Sequence, residues 1–197
     1  MFSKTAELLA RKLLENNTID DEHYEICRYG LQQGISILLN IVTTIVLGIA
    51  LGMLWQALLF SILYIPLRSY AGGYHAKSAF QCYVYSIIMM IAVLLAIEHI
   101  ELPCFICIII STISFLIIYK LAPVEDKNKS LDQIEQKVYK KRTIVITVIE
   151  ELLLLINLML GFIQISYCIA YALMIMSMIL MLGIYKNRIK NKSGVHF

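Results

Sequence analysis

Long apolar segments alternate with short polar segments along the chain. An α-helix needs about 20 predominantly apolar residues to cross the hydrocarbon core of a bilayer. Six segments approach this length: roughly Gly34–Gly52, Leu54–Gly73, Tyr83–Ile97, Cys104–Leu121, Thr143–Leu160 and Ile163–Tyr185. The pattern therefore predicts an all-α, polytopic integral membrane protein with about six transmembrane or membrane-embedded helices.

The second apolar segment is the weakest of the six. Its unbroken apolar part stops at Leu67, directly after Pro66, and Arg68 follows. It could span the membrane with Arg68 extending to the interface. Alternatively, it could be a broken or re-entrant element that lines a protected cavity.

The amino-terminal segment, residues 1–33, is polar and lacks the apolar core and cleavage site of a signal peptide. Apolar residues recur in it near helical spacing, at Phe2, Ala6, Leu9, Leu13 and Leu14. Charged residues fill the other side, at Lys4, Glu7, Arg11, Lys12 and Glu15. This pattern predicts an amphipathic helix on the membrane surface. A docking surface for a partner helix is the alternative.

Composition and charge support the membrane assignment. The 197 residues are 59% hydrophobic and 16% charged, with a mean hydropathy of +0.75, which excludes an ordinary soluble domain. If both termini are cytoplasmic, all 17 Lys and Arg residues fall on the cytoplasmic side, as the positive-inside rule expects. Attraction of the basic segments to anionic lipids then explains the net charge of +3, so this charge gives no reason to predict nucleic-acid binding.

These patterns divide a single membrane domain, residues 1–197, into five parts. The cytoplasmic amphipathic segment is 1–33, and the first four spans are 34–121 with a polar loop at 68–82. A cytoplasmic basic loop follows at 122–142, then the last two spans at 143–185 and a cytoplasmic tail at 186–197.

The polar loop reads RSYAGGYHAKSAFQC, from Arg68 to Cys82, and holds a candidate catalytic pair. His75 and Cys82 are seven residues apart, about 10 Å along a helix, but a loop containing glycines could bring them closer. An ordinary thiol is only a few per cent ionised at neutral pH. A neighbouring imidazole can take its proton and pass it to a leaving amine.

The neighbours of this pair suit a substrate site. Gly72 and Gly73 permit unusual backbone angles and a close approach of a substrate chain. Arg68 could bind a peptide carboxylate or a lipid phosphate, or be an ordinary cytoplasmic-side basic residue. Gln81 could donate a hydrogen bond to an oxyanion, or serve only as a loop residue.

The other cysteines and the histidines predict no further site. Cys104 and Cys107 form a C-x-x-C pair, but in an apolar setting that favours packing over redox chemistry. No metal-ligand spacing recurs among the four histidines, so we predict neither a metal nor a cofactor.

The stretch R-x-x-x-G-G-Y-H-A followed by Cys82, together with APVEDKNKSLD after the fourth span, resembles the AgrB family of bacterial accessory gene regulator quorum-sensing systems. The resemblance implies a multi-pass endopeptidase of the cell membrane with His75 and Cys82 as its catalytic pair. It also implies that the substrate is an AgrD-like propeptide, which is cut at its carboxy-terminal tail and cyclised to a thiolactone or lactone.

The second motif, APVEDKNKSLD (Ala122–Asp132), has no unique assignment. Pro123 should stop the preceding helix, and another helix should begin near Leu131. Four polar residues of the motif could contact the propeptide tail: Glu125, Asp126, Asn128 and Lys129. One of the acids or Asn128 could instead orient His75, or the motif could be only a loop.

Glu150 and Glu151 are carboxylates predicted to lie inside the membrane, where unpaired charge is costly. They could line an interior cavity or a subunit contact, and a homodimer is compatible with the sequence. A shallower start of the fifth span is the alternative. These acids also support a rival function, a small transporter or exporter without covalent chemistry. A purely structural partner of a sensor kinase is a third possibility.

Overall fold

The computed structural model describes residues 2–16, 19–74, 76, 78–125 and 132–192. Within them the chain is helical, which confirms the predicted all-α membrane architecture. The helices are α1 (Phe2–Glu15), α2 (Asp21–Ala50), α3 (Leu54–Ala71), α4 (Ala79–His99), α5 (Cys104–Leu121), α6 (Gln133–Met159) and α7 (Ile163–Lys192).

The six predicted apolar segments lie on α2 to α7. Within the described part of the chain, four helices are long and apolar enough to cross a membrane by length and composition, with the qualifying stretches His23–Ala50, Phe80–His99, Cys104–Leu121 and Ile163–Ile189. The other two, α3 and α6, carry polar residues on faces that pack inside the bundle, including Gln56 and Glu150.

Several helices extend beyond the predicted apolar segments. Helix α2 begins at Asp21 and α6 at Gln133, so polar helical turns continue past the apolar stretches. Asp132 caps α6 by accepting a hydrogen bond from the amide of Glu135, whose side chain accepts one from the Asp132 amide. This reciprocal cap satisfies two amides that have no partner within the helix.

The structure corrects the predicted extent of the polar loop. Helix α3 continues through Pro66 to Ala71, so it is not a broken element. Arg68 therefore lies in the last turn of α3, and Cys82 lies in the first turns of α4. Ser78 caps α4 by accepting a hydrogen bond from the Gln81 amide. The connection between the helices is only residues 72–78.

Helix α7 lies at the centre of the bundle and contacts α3, α4, α5 and α6. Small side chains are buried along it, among them Ser166, Ala170, Ala172 and Ser177. Helices in a membrane gain little from the hydrophobic effect, so they associate through close packing, which small residues permit.

Helix α1 packs against α2 through Ala6 and Ala10, which are fully buried. Leu9, expected on the apolar face, is exposed together with Leu8. The two alanines make the contact with α2 because a small side chain lets two helices approach. Leu8 and Leu9 lie outside this contact, and the position of α1 on the membrane surface stays a prediction.

Successive helices from α2 to α7 run in alternating directions. The described residues 72–74 and 122–125 lie at the same end of the bundle as the carboxyl-terminal half of α7, because the Tyr74 amide binds the Ile179 carbonyl and Asn187 binds the Glu125 carbonyl. We call this the basic end, because the Lys and Arg residues of α5, α6 and α7 lie there.

We predict that the basic end is cytoplasmic. Cys82 and Cys104 are both exposed and begin consecutive antiparallel helices, so they lie at opposite ends of the bundle. In single-cysteine variants, a membrane-impermeant maleimide should label Cys104 in intact cells and Cys82 only after permeabilisation. Labelling of Cys82 in intact cells would place the basic end outside.

Candidate active site

The end of α3 is held by its own arginine. The Arg68 guanidinium donates one hydrogen bond to the carbonyl of Gly72 and another, of 2.6 Å, to the carbonyl of Tyr74. The Gly72 amide in turn donates to the Arg68 carbonyl at 3.2 Å. The last carbonyls of a helix have no partners within the helix, and a cation near that end interacts favourably with the negative end of the helix dipole. Arg68 thus fixes residues 72–74 against α3.

The two sequence motifs meet through their main chains. Gly72 and Val124 form a parallel bridge. The Gly73 amide donates to the Val124 carbonyl at 3.1 Å, and the Val124 amide donates to the Ala71 carbonyl at 2.9 Å. Buried peptide groups need partners, and these bonds provide them where α3 and α5 both end.

The paired glycines serve this contact. Gly72 has φ +72° and Gly73 has φ +112°, angles that other residues rarely adopt. A Cβ on Gly72 would overlap the Val124 carbonyl oxygen, and one on Gly73 would come within 2.9 Å of Ile179 Cγ2. The sequence predicted that a substrate chain would approach these two glycines closely. In the structure, the protein's own backbone makes that close approach instead.

Cys82 lines a half-open cavity of about 560 Å³ at the basic end. Arg68, Tyr74 and Tyr85 share the lining with it, and the rest of the wall is mainly apolar, from α4 and α7. Cys82 is exposed, whereas Cys107 and Cys168 are buried. Within the described residues, no other cysteine lines this cavity.

A second cavity, also of about 560 Å³, lies next to the first, between α2, α3 and α4. Tyr64, Ser86 and Met89 line both cavities. The hydroxyl of Ser86 donates to the Cys82 carbonyl at 3.0 Å, so it is satisfied within its own helix.

His75 lies outside the described residues, as do Asp126, Asn128 and Lys129. The described neighbours on either side of His75 are Tyr74 and Ala76, and both line the Cys82 cavity. Gln81 is exposed and its side chain is not part of the described lining.

The second motif ends α5 as predicted, since the helix stops at Leu121 before Pro123. Glu125 is not part of the described lining of the Cys82 cavity and binds residues of α6 and α7. Its carboxylate accepts a hydrogen bond from Gln136 of α6, and its carbonyl accepts one from Asn187 of α7 at 3.0 Å.

Glu150 and Glu151 face different neighbours and are not part of the described lining of either cavity. Glu151 accepts hydrogen bonds from Ser111 at 3.0 Å and Thr112 at 3.2 Å, both on α5. Glu150 is only 3% exposed, and its Oε2 has no partner within the described part of the chain. Through its hydrogen bonds with Ser111 and Thr112, Glu151 connects α5 and α6.

Metal binding has no support in the described ranges. They contain no group of three or more His, Cys, Asp or Glu side chains that could hold an ion.

Sequence analysis did not single out four residues that shape this site: Tyr64, Tyr74, Val124 and Ile179. Tyr64 lines both cavities, while the Tyr74 amide donates to the Ile179 carbonyl at 3.1 Å. Val124 and Ile179 act through main-chain atoms, which every residue type carries, so no residue pattern marks them. Tyr64 and Tyr74 could have been noticed in the sequence as aromatic residues near Arg68 and His75.

The family model for accessory gene regulator B matches residues 6–182. An AgrB-like protein 2 of Clostridium perfringens is 31% identical over 149 residues, which cover 72% of this chain and 70% of that protein.

Two staphylococcal proteins, both named accessory gene regulator protein B, are also similar. That of Staphylococcus lugdunensis is 28% identical over 75% of this chain and 78% of its own length. That of Staphylococcus carnosus is 26% identical over 80% of this chain and 81% of its own length. No solved structure matches the chain. The family match spans nearly the whole sequence and includes both motifs that meet at Gly72 and Val124, so the chain belongs to the accessory gene regulator B family.

Proposed function

We propose that this protein is a membrane cysteine endopeptidase that cleaves the carboxy-terminal tail of an AgrD-type propeptide and cyclises the remainder. Membership of the accessory gene regulator B family associates the chain with quorum sensing. The proposed cleavage and cyclisation depend on the residues of the Cys82 cavity.

One observation carries the proposal. Cys82 is an exposed thiol in a cavity whose lining also includes Tyr74 and Ala76, the residues that flank His75 in the chain. We infer that His75, which lies outside the described residues, is the partner of this thiol, because both of its neighbours in the sequence line the cavity.

The reaction begins when the Cys82 thiolate attacks the carbonyl carbon of the scissile peptide bond. The tetrahedral intermediate collapses, the carbon–nitrogen bond breaks, and protonated His75 gives a proton to the departing amine. The tail leaves with a new amino terminus, and the rest of the propeptide stays on Cys82 as a thioester.

Ring closure is a second acyl transfer. A Cys or Ser side chain of the bound peptide loses its proton to His75 and attacks the thioester carbonyl. The bond to Cys82 breaks, which regenerates the thiolate and releases a thiolactone or lactone. A thioester is readily hydrolysed, so exclusion of water favours this exchange. The apolar wall from α4 and α7 supports that exclusion.

Arg68 acts in this proposal by positioning the loop. Two donors of its guanidinium are occupied by the carbonyls of Gly72 and Tyr74, so it keeps the segment before His75 against the cavity. In this proposal the guanidinium can also donate to a peptide carbonyl or carboxylate that enters the cavity it lines. Gly72 and Gly73 make this arrangement possible and are site-shaping residues in the same sense.

We predict that Cys82→Ala and His75→Ala each reduce propeptide cleavage by about 1000-fold or more, because nucleophile and base act as a unit. Cys82→Ser should also lose cleavage, since a serine hydroxyl is a far weaker nucleophile than a thiolate. The measurement is mass analysis of AgrD-type peptides after incubation with membranes that contain each variant.

Cys27→Ala and Cys104→Ala are the matched controls. Neither cysteine lines the described part of the cavity, so both variants should cleave at the rate of the unaltered protein. Retained cleavage by Cys82→Ala at a normal membrane level would reject covalent catalysis at this thiol.

Arg68→Ala should loosen the loop before His75. A hydrogen bond to a charged group contributes about 1.5–3 kcal/mol, so loss of two of them should speed amide exchange at Gly73 and Tyr74 by about tenfold or more. Hydrogen–deuterium exchange measured on peptides covering residues 70–76 tests this. Arg188→Ala, at an exposed position of α7, is the control, and equal exchange in both variants would contradict the role of Arg68.

A further inference from the structure

The carboxyl-terminal half of α7 contacts the main chains of both motifs. The Tyr74 amide donates to the Ile179 carbonyl at 3.1 Å. Asn187 Nδ2 donates to the Glu125 carbonyl at 3.0 Å, and Lys186 Nζ lies 4.9 Å from the centre of the Tyr74 ring. Positions 179, 183, 186 and 187 share one helical face, which we call the α7 platform.

Gly183 lies at the middle of the α7 platform and is buried. A Cβ at this position would come within 2.8 Å of Gly73 C, 2.8 Å of Tyr74 N and 3.0 Å of Gly73 Cα. All three are main-chain atoms, so a side-chain rotation cannot relieve the overlap. Only displacement of the loop or of α7 can do so.

The loop is also held on its other sides. Arg68 binds it from α3, and Val124 pairs with it from the second motif. Gly183 therefore determines how closely the segment before His75 lies against the wall that α7 gives to the Cys82 cavity. Misplacement of a reacting group by about 1 Å can cost about 100-fold in rate.

We propose that Gly183 is a positioning residue for the reaction at Cys82: its missing side chain lets residues 73 and 74 seat on α7 and so holds Tyr74, which lines the Cys82 cavity and directly precedes the proposed base in the sequence. This inference rests on the proposed function. It adds a residue more than 100 positions from the catalytic motif, on a helix that supplies no proposed catalytic group.

A small residue in a membrane helix commonly serves helix packing alone, and the two roles predict different results. Alanine is a better helix former than glycine, so Gly183→Ala does not weaken α7 itself. A packing role predicts a loss of protein from the membrane. A positioning role predicts a folded protein with a misplaced loop.

The test compares Gly183→Ala with Gly34→Ala in the full chain. Gly34 is also a helical glycine, and a Cβ there meets nothing within 4 Å. Two quantities are measured in membranes at pH 7: the kcat and KM of AgrD-type peptide cleavage, and the rate of Cys82 alkylation by iodoacetamide relative to Cys27.

We expect Gly183→Ala to lower kcat by about 10- to 100-fold with little change in KM. The alkylation rate of Cys82 relative to Cys27 should fall to the value found for His75→Ala, because the thiol loses its imidazole partner. Gly34→Ala should match the unaltered protein in both measurements.

A cleavage rate of Gly183→Ala equal to that of the unaltered protein would overturn the inference. So would a loss of cleavage in which the relative reactivity of Cys82 does not change. Failure of the proposed function gives a different result. Either Cys82→Ala would still cleave the peptide, or the unaltered protein would not cleave it. Both results are visible without altering Gly183, and in either case the role of Gly183 would also be rejected.

If Gly183→Ala does not accumulate in membranes, Asn187→Ala replaces it as the test. This variant removes one hydrogen bond from the same platform and introduces no overlap. A fall in kcat at a normal membrane level supports the positioning role of the platform, and an unchanged kcat overturns it.

Discussion

Main-chain hydrogen bonding of Val124 to Ala71 and Gly73, the residues on either side of Gly72, is the constraint on which the rest of the site depends. Helices α3 and α5 both end at the edge of the apolar region, and each leaves carbonyl and amide groups that water reaches poorly. Such groups must find partners inside the protein. The bridge supplies them, since Ala71 and Val124 carbonyls accept from Val124 and Gly73 amides. The polar ends of two helices are thereby fixed to each other.

This pairing explains why the polar loop has its unusual composition. Both Gly72 and Gly73 have positive φ. A Cβ at Gly72 would overlap Val124 across the bridge, and a Cβ at Gly73 would crowd Ile179 of α7. Two further carbonyls face α3, where the Arg68 guanidinium binds them. The result is that residues 72–74 are held between α3, α7 and Val124, with Tyr74 in the wall of the cavity that Cys82 also lines. The proposed peptide cleavage and ring closure would use this mainly apolar cavity.

Sequence patterns predicted the elements better than the contacts between them. Apolar length located α2 to α7, and Pro123 marked the end of α5, because these features depend on local chemistry. The meeting of Gly72 with Val124 was not predictable in the same way, since backbone amides and carbonyls leave no residue-specific pattern. For the same reason the donation by Arg68 to two nearby carbonyls was missed, and its charge favoured an external partner. Glu150 and Glu151 showed as anomalies, but only the structure shows that Glu151 binds Ser111 and Thr112 of α5.

The central claim is that Cys82 carries the propeptide as a thioester, and this intermediate can be weighed. The protein is mixed with an AgrD-type peptide whose internal Cys or Ser is replaced by Ala, so that ring closure is blocked, and is quenched in acid. Mass analysis should then show the protein heavier by the amino-terminal fragment of the peptide, with the added mass on the peptide that contains Cys82 and released by hydroxylamine. Cleavage of the peptide without an adduct, or an adduct on another residue, would contradict the account.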